Sequence, residues 1–292
     1  MGFLSKKSYF DKHFKLDDSH IYKNCVNFDY SNIYNDKFVV QGFCIAKDYC
    51  LVSAYSKIKL NSRVYLYEKN GNFKKFIELN NSDHVGGITF DSVNDIVYIT
   101  GSKGKINAFD YNELISGSIV EYNCEVFISK VFNDNSRAAT VYYFDNCLYV
   151  CTFSDTGKMA KFEVDVDRRN KKIVIKNSWT SNALQACIQG VCVFEYDGEV
   201  YYLFSQSFGR LRSVVNLYDS NFKIIGQKIL RYIGLEGIDL EYIGNIVCVF
   251  ENGIDKSEKI HISELVDGFN GSIERKFEKK GKFYKKKHDI IQ

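Results

Sequence analysis

The 292-residue chain has no proline, one tryptophan and only two methionines. The lack of proline accompanies many Asn, Lys, Ile and Tyr residues and indicates a coding bias, so we draw no function from it. The chain also lacks any run of 18 apolar residues, and we therefore expect no membrane span. Its first residues, MGFLSKKSYFDKHFKLDD, contain no apolar stretch typical of a secretory signal, so we expect a cytoplasmic location.

Cysteine pairs at metal-binding spacing are missing as well. The nine cysteines are odd in number, and they form no C-x-x-C pair and no Cys/His cluster with zinc spacing. Cys44, Cys192 and Cys248 stand inside apolar runs. We therefore predict buried, reduced thiols that pack as small apolar side chains in a reducing compartment.

Positive and negative side chains are nearly equal in number, with a formal net charge of +3, but they are unevenly distributed along the chain. Residues 274–287 carry eight Lys or Arg and two Glu, which leaves 31 basic and 34 acidic residues elsewhere. Because the residues outside this segment are mildly acidic, we do not expect the surface as a whole to bind nucleic acid. The basic C-terminal tail could contact nucleic acid or anionic lipid, or it could be a solvated terminus.

What the chain does contain is an internal repeat. Residues 41–73 and 189–222 both run Gln-Gly, an apolar strand, an Asp-containing turn and a second strand, and then Ser-x-Val-x-Leu-Tyr before a turn at Asn-Phe. Weaker copies begin at residues 86, 138 and 236, so the five copies start about 45 to 52 residues apart. Each copy contains three or four short strands rich in β-branched and aromatic residues, separated by Asp, Asn or Gly turns.

A four-stranded unit recurring every 40 to 50 residues or so is typical of a β-propeller blade. We predict an all-β fold with one five-bladed propeller of four-stranded antiparallel sheets, although a sixth blade split between the termini is possible. The fifth copy is short of its outer strand, which residues 20–32 could supply to close the ring. A β-sandwich rarely has so regular a repeat, and a β-helix has shorter coils. The predicted segments are an N-terminal extension at 1–19, the propeller at 20–272 and the basic tail at 273–292.

Polar residues recur where each first strand begins and each second strand ends, and these points meet at one face of a propeller. The predicted rim includes Gln41 and Tyr55 in blade one, and His84 in blade two. In blade four it includes Gln189 and Ser207, and in blade five Glu236 and Glu251. Lys57 and Arg210 follow second strands on the same face.

These residue types predict an axial pocket for a small polar ligand. His84, Glu236 and Glu251 are the candidate catalytic residues, because imidazole titrates near neutrality and two carboxyl groups can form an acid/base pair. His84 and Glu236 could instead bind a divalent cation. Gln41, Gln189, Ser207 and Tyr55 would bind substrate, and Arg210 or Lys57 would hold an anionic part of it. Alternatively, His84 bonds only its own turn, and Arg210 or Lys57 neutralises a structural carboxylate pair.

The motifs resemble those of a family of bacterial β-propeller proteins, many of them secreted. The matching motifs, in order, are Gln41-Gly42, His84 to Ile88, Gln189-Gly190 with Ser207, Arg210 and Ser213, and Glu236 to Ile238. The chain departs from that pattern at Asn252 and in lacking a visible signal sequence, whereas the family implies a secreted location. More distantly, the chain resembles propeller lactonases and plant-type glutaminyl cyclases, the latter through the Gln-Gly strand and Ser-rich turn at 41–64.

Two functions remain open at this point. The first is a monomeric enzyme that hydrolyses an ester or lactone, or cyclises a small substrate, in the axial pocket. No nucleophile elbow and no clear Ser-His-Asp order is present, which argues against serine-hydrolase chemistry. The second is a non-catalytic propeller whose rim binds a glycan, peptide or protein, and which would expose an apolar patch there.

Overall fold

Alternating apolar and polar residues form short strands that pair with their neighbours in sequence. The computed structural model describes residues 28–196, 198–208, 211–242, 245–251 and 257–267. The extension at 1–19 and the basic tail at 273–292 lie outside these residues. Every strand pair within a repeat is antiparallel, as the tight Asp, Asn and Gly turns between the strands require.

The first two repeats form four-stranded units that begin at the predicted positions. Blade one contains β1 (Phe38–Ile45), β2 (Tyr49–Ser56), β3 (Arg63–Glu68) and β4 (Phe73–Glu78), and it follows the short helix α1 (Ser31–Asn35). Blade two contains β5 (Ile88–Asp91), β6 (Ile96–Thr100), β7 (Ile106–Asp110) and β8 (Glu121–Cys124). Between β7 and β8 lies α2 (Tyr111–Ser116), whose first turn is capped by the Asp110 side chain.

The remaining repeats follow the same order. Blade three follows the short helix α3 (Ile128–Phe132) and contains β9 (Ala138–Phe144), β10 (Cys147–Thr152), β11 (Gly157–Asp167) and β12 (Lys172–Leu184). Blade four contains β13 (Ile188–Tyr196), β14 (Glu199–Gln206), β15 (Arg212–Tyr218) and β16 (Ile224–Ile233). The fifth sheet has three strands within the described residues, β17 (Leu235–Tyr242), β18 (Asn245–Phe250) and β19 (Ser257–His261), and then α4 (Ile262–Asp267).

The first strands of the five sheets surround a common axis. β1 contacts β5, β5 contacts β9, β9 contacts β13, β13 contacts β17, and β17 returns to β1. Blades two and three also join at their outer edges, where β8 pairs in parallel with β12. This closed cycle of antiparallel sheets is a β-propeller, as the repeat predicts. Five sheets belong to the described residues, and the blade number of the whole chain stays a prediction.

Apolar side chains before β1 pack across the seam between the fifth sheet and blade one. Phe28, Tyr30 and Ile33 are buried in one cluster with Val247 and Val249 of β18. Burying side chains of this size contributes about 1.5–3 kcal/mol each to stability. The predicted ring-closing strand at 20–32 is not seen in its described part, because residues 31–35 form a helix. Residues 20–27 lie outside the described residues.

The core consists of apolar clusters between successive sheets, and the thiols lie inside these clusters. The eight cysteines within the described residues are all buried, as predicted for reduced structural thiols. No helix in the described part of the chain is long and apolar enough to cross a membrane.

Candidate functional site

Four of the inner strands contain a β-bulge at the same level near one face of the propeller. We call this the upper face; it is the face where the start of β1 meets the end of β2, with Phe38 opposite Ser56. The extra residues in β1, β9, β13 and β17 are Gln41, Ala139, Gln189 and Glu236. A bulge re-aims the side chain of its extra residue. Three long polar side chains are therefore brought to one level of the axis.

A glycine follows three of these bulges because the inner strands approach one another too closely for a side chain. A Cβ at Gly42 would lie 3.1 Å from the Ile88 nitrogen of β5, and one at Gly190 would lie 2.8 Å from Ile238 Cγ1 of β17. At Gly237 a Cβ would lie 2.8 Å from the backbone nitrogen of Phe43 in β1. In each Gln-Gly or Glu-Gly pair, the polar residue is the extra residue of the bulge. The glycine allows the inner strands of neighbouring blades to pack closely.

Glu236 and Glu251 form a carboxyl pair at this level. Their side chains are hydrogen-bonded to each other, and Glu236 is only 6% exposed. Burial, the charge of Glu251 and the hydrogen bond together raise the pKa of Glu236 well above its ordinary value. The neighbouring carboxyl group disfavours ionisation of the buried one, so Glu236 holds its proton to a higher pH than an exposed glutamate does.

Backbone and amide contacts hold the carboxyl pair in place. Gln189 Nε2 donates to Glu236 Oε1 at 3.3 Å. The Glu251 N–H donates to the Gly234 carbonyl at 2.6 Å, and the Tyr34 hydroxyl of α1 donates to the Glu251 carbonyl. The pair is thus fixed by blade four on one side and by the N-terminal segment on the other.

Gln41 has an unused acceptor at the same level. Its side chain is 2% exposed, and its Nε2 donates to the Val40 carbonyl at 2.8 Å. Its Oε1 is buried and has no hydrogen-bond partner among the described residues. Because an unsatisfied buried carbonyl costs about 1–3 kcal/mol, this oxygen needs an explanation. It is one of the two strongest indications of a ligand site, the carboxyl pair being the other.

Tyr55 and His84 form a stacked ring pair beside the carboxyl groups. Their ring centroids are 4.5 Å apart and their planes differ by 20°. Loss of water around the imidazole lowers the pKa of His84, and the charge of exposed Arg137 lowers it further against the opposing effect of Glu251. Burial raises the pKa of Tyr55, and Glu251 and Glu236 add to that rise. His84 is therefore a neutral imidazole near pH 7.

The other predicted residues are not joined to this group by any contact in the described part of the chain. Ser207 is buried, and its N–H donates to the Cys187 carbonyl. Lys57 is exposed in the turn after β2 and forms no ion pair with the carboxyl groups. Arg210 lies outside the described residues. Within those residues no group of three or more His, Cys, Asp or Glu side chains is arranged to hold a metal ion.

The sequence-based reasoning missed a second buried acid lower on the axis. Asp239 Oδ2 accepts the Ile45 N–H at 2.6 Å, and Oδ1 accepts the Leu240 N–H at 2.7 Å. The Tyr142 side chain of β9 is also hydrogen-bonded to Asp239. Burial raises the pKa of Asp239 to about 7 in spite of these bonds. An acidic residue inside the apolar run GIDL was the signal that could have indicated it.

Comparisons with known proteins add little beyond the fold. No protein-family model matches the sequence, and no curated protein sequence matches it. A solved glutaminyl cyclase of Myxococcus xanthus is 9% identical with a TM-score of 0.49, over 81% of this chain and 94% of that one. The WD40 propeller domain of Doa1 is 11% identical with a TM-score of 0.44, over 78% of this chain and 83% of that domain. At these values neither likeness carries an argument about activity, and the fold rests on the strand pairing described above.

Proposed function

We propose that the protein is an enzyme that acts on a small polar substrate at the upper end of the propeller axis by acid/base catalysis. The observation that carries the proposal is the hydrogen-bonded pair of Glu236 and Glu251. A pair with one protonated member holds an acid and a base in the same place at neutral pH. Such groups are arranged at catalytic sites far more often than at surfaces without function.

The environment of each carboxyl group supports different roles for the two. Glu236 is the more deeply buried, and its raised pKa favours the protonated form, so it serves as the general acid that protonates a leaving oxygen or nitrogen. Glu251 is half-buried and serves as the base that takes a proton from the attacking water or amine. Hydrolysis of an ester or lactone, or cyclisation of a short substrate, needs these two proton transfers.

The surrounding residues have positioning roles in this proposal. Gln189 orients Glu236 through its amide donor, and Gln41 accepts a hydrogen bond from the substrate through Oε1. The stacked rings of Tyr55 and His84 form one wall of the site, where the neutral imidazole provides a second base. Ser207, Lys57 and Arg210 remain expected substrate contacts, and a divalent cation on His84 and Glu236 remains an alternative to direct acid/base catalysis.

The test compares the full chain with Glu236→Gln and Glu251→Gln on a carboxylic ester, a γ-lactone and a peptide with N-terminal glutamine. We expect the wild type to turn over one of these classes and each variant to lose about 10²–10⁴-fold in kcat. Glu195→Gln is the matched control, because Glu195 is an exposed carboxylate near the far end of β13. Unchanged turnover in both site variants, or no turnover of any class by the wild type, would contradict the proposal.

A second candidate function, protein recognition, is favoured by one specific observation. The turn after β2 exposes Ile58 at 54% and Leu60 at 44% on the upper face. Exposed apolar side chains near a rim are a feature of interaction surfaces. A recognition protein would lose partner binding when Ile58 and Leu60 are changed to serine and keep it in Glu236→Gln, whereas the enzyme would show the reverse pattern in activity.

A further inference from the structure

The amide donors around the carboxyl pair are already used inside the protein. Gln41 Nε2 donates to the Val40 carbonyl, and Gln189 Nε2 donates to Glu236 Oε1. The side chains of Glu236 and Glu251 are hydrogen-bonded to each other. Apart from the hydroxyl and imidazole donors of Tyr55, His84 and Ser205, what remains for a ligand at this level is a set of acceptors, namely carboxyl oxygens and the unpartnered Oε1 of Gln41.

Gln41 belongs to the same site because of the bulges. β17 is flanked by β13 on one side and by β1 on the other. The bulge in β13 directs Gln189 onto Glu236, and the matching bulge in β1 places Gln41 at the same level on the other side. Gln41 is 2% exposed, and its buried Oε1 has no donor within the described residues at the level of the carboxyl pair, so we infer that the donor comes from a ligand.

The charges near the pair favour a cation. Glu236 and Glu251 hold one negative charge when Glu236 is protonated, and the neighbouring rings of Tyr55 and His84 are neutral at pH 7. Arg137 is exposed and acts on His84, and no ion pair in the described residues neutralises the carboxyl groups. The faces of aromatic rings also attract cations.

We propose that the ligand recognised at this site is a small organic ammonium ion, whose N–H groups bond the carboxyl pair and Gln41 Oε1. The proposal rests on the proposed function and names the substrate class of the same site. A primary ammonium group provides three donors and a positive charge, and so matches Gln41 Oε1, which accepts no bond within the described residues, together with the carboxyl oxygens. A carboxylate ligand would be repelled, and an alcohol would supply one donor and no charge.

Binding of such a cation has a chemical consequence for the proton on Glu236. An ammonium group between the carboxyl groups replaces the proton as the positive partner of both, so the pKa of the pair falls and the proton leaves to the buffer. The balance is one protonated pair plus one R–NH₃⁺ giving one fully ionised pair bound to R–NH₃⁺ and one released H⁺. Uptake of ligand and release of the proton are thus linked.

The test uses four small probes and isothermal titration calorimetry on the full chain. The probes are n-butylammonium chloride, n-butanol, sodium butyrate and tetramethylammonium chloride, at neutral pH in two buffers of different ionisation enthalpy. We expect saturable binding of butylammonium with release of about one proton per ligand. Tetramethylammonium, which has charge but no N–H donors, should bind at least tenfold more weakly, and butanol and butyrate should not saturate.

Variants show whether the binding occurs at this site. Glu236→Gln and Gln41→Met should each weaken butylammonium binding at least tenfold, and Glu236→Gln should also abolish proton release. Glu195→Gln should leave both unchanged, and a single cooperative urea transition would show that the site variants are folded. Equal binding of butanol and butylammonium, or unchanged binding in both site variants, would overturn the ligand class.

The two proposals fail in different experiments. If Glu236→Gln loses turnover but the wild type does not bind butylammonium, the proposed catalytic function is retained and the proposed ammonium ligand is refuted. Saturable ammonium binding with proton release, but no turnover of any substrate class, would retain the ligand class and refute catalysis.

Discussion

Gln41 is a buried side chain whose acceptor has no hydrogen-bond partner among the described residues. Its buried Oε1 has no partner among the described residues, whereas the amide of Gln227, which is equally buried, donates to Asn216 Oδ1 at 2.5 Å. The two glutamines are therefore buried to a similar degree, but only Gln41 has a side-chain acceptor without a hydrogen-bond partner among the described residues. An acceptor kept idle for a ligand lowers stability in the free protein, as is common at functional sites.

Replacing Gln41 with methionine should raise the free energy of unfolding by about 1 kcal/mol, because removing the unsatisfied carbonyl outweighs the loss of the single Nε2 bond to the Val40 carbonyl. Gln227→Met, the matched control, should lower it by a similar amount, since it leaves Asn216 Oδ1 without its donor. Urea denaturation of both variants measures these changes. A destabilised Gln41→Met would mean that Oε1 is satisfied in solution.

At the scale of elements, Asp239 ties three inner strands together. It extends from β17, accepts the N–H of Ile45 in β1 and is hydrogen-bonded to Tyr142 of β9. The thiols of Cys44 in β1 and Cys192 in β13 also lie within its electrostatic reach. Its carboxyl group thus forms a hydrogen bond that joins the fifth sheet to blade one.

The raised pKa of Asp239 makes the stability of this tie depend on pH. Because the pKa is about 7 in the folded protein and ordinary in the unfolded chain, the folded state binds more protons between about pH 4 and pH 7. The contribution of Asp239 to stability is greatest below this window and is lost as the pH rises through it, by up to about 1.4 kcal/mol per pH unit.

Asp239→Asn should remove that slope, and urea denaturation at several pH values between about 4 and 8 measures it. The comparison with the wild type isolates Asp239 from other groups, including Glu236, that titrate in the same range. Glu195→Gln should keep the wild-type slope because that carboxylate is exposed. An unchanged slope in Asp239→Asn would show that Asp239 titrates normally.

At the scale of the whole molecule, the repeat predicted the propeller because each blade buries its apolar strands in the same order. The pairs Gln41-Gly42, Gln189-Gly190 and Glu236-Gly237 coincide with a bulge that recurs in the inner strands, and that their polar side chains face the axis stays a prediction.

The sequence could not predict which side chains meet across blades. The bond between Glu236 and Glu251 depends on the geometry of one strand pair, and the role of Asp239 depends on a contact between strands nearly 200 residues apart in sequence. The helix at 31–35 overlaps only the end of the segment predicted to close the ring, and its residue Ile33 is buried by packing against the fifth sheet and blade one.

The hydrogen-bonded pair of Glu236 and Glu251 and the raised pKa of Glu236 underlie both proposals, and a ¹³C NMR titration of the glutamate carboxyl carbons measures that pKa most directly. Glu236→Gln and Glu251→Gln assign the two signals. The account predicts that Glu236 titrates well above its ordinary pKa, and that this pKa falls in Glu251→Gln when the neighbouring charge and hydrogen bond are removed. A Glu236 signal that titrates in the ordinary range and does not respond to Glu251→Gln would contradict it.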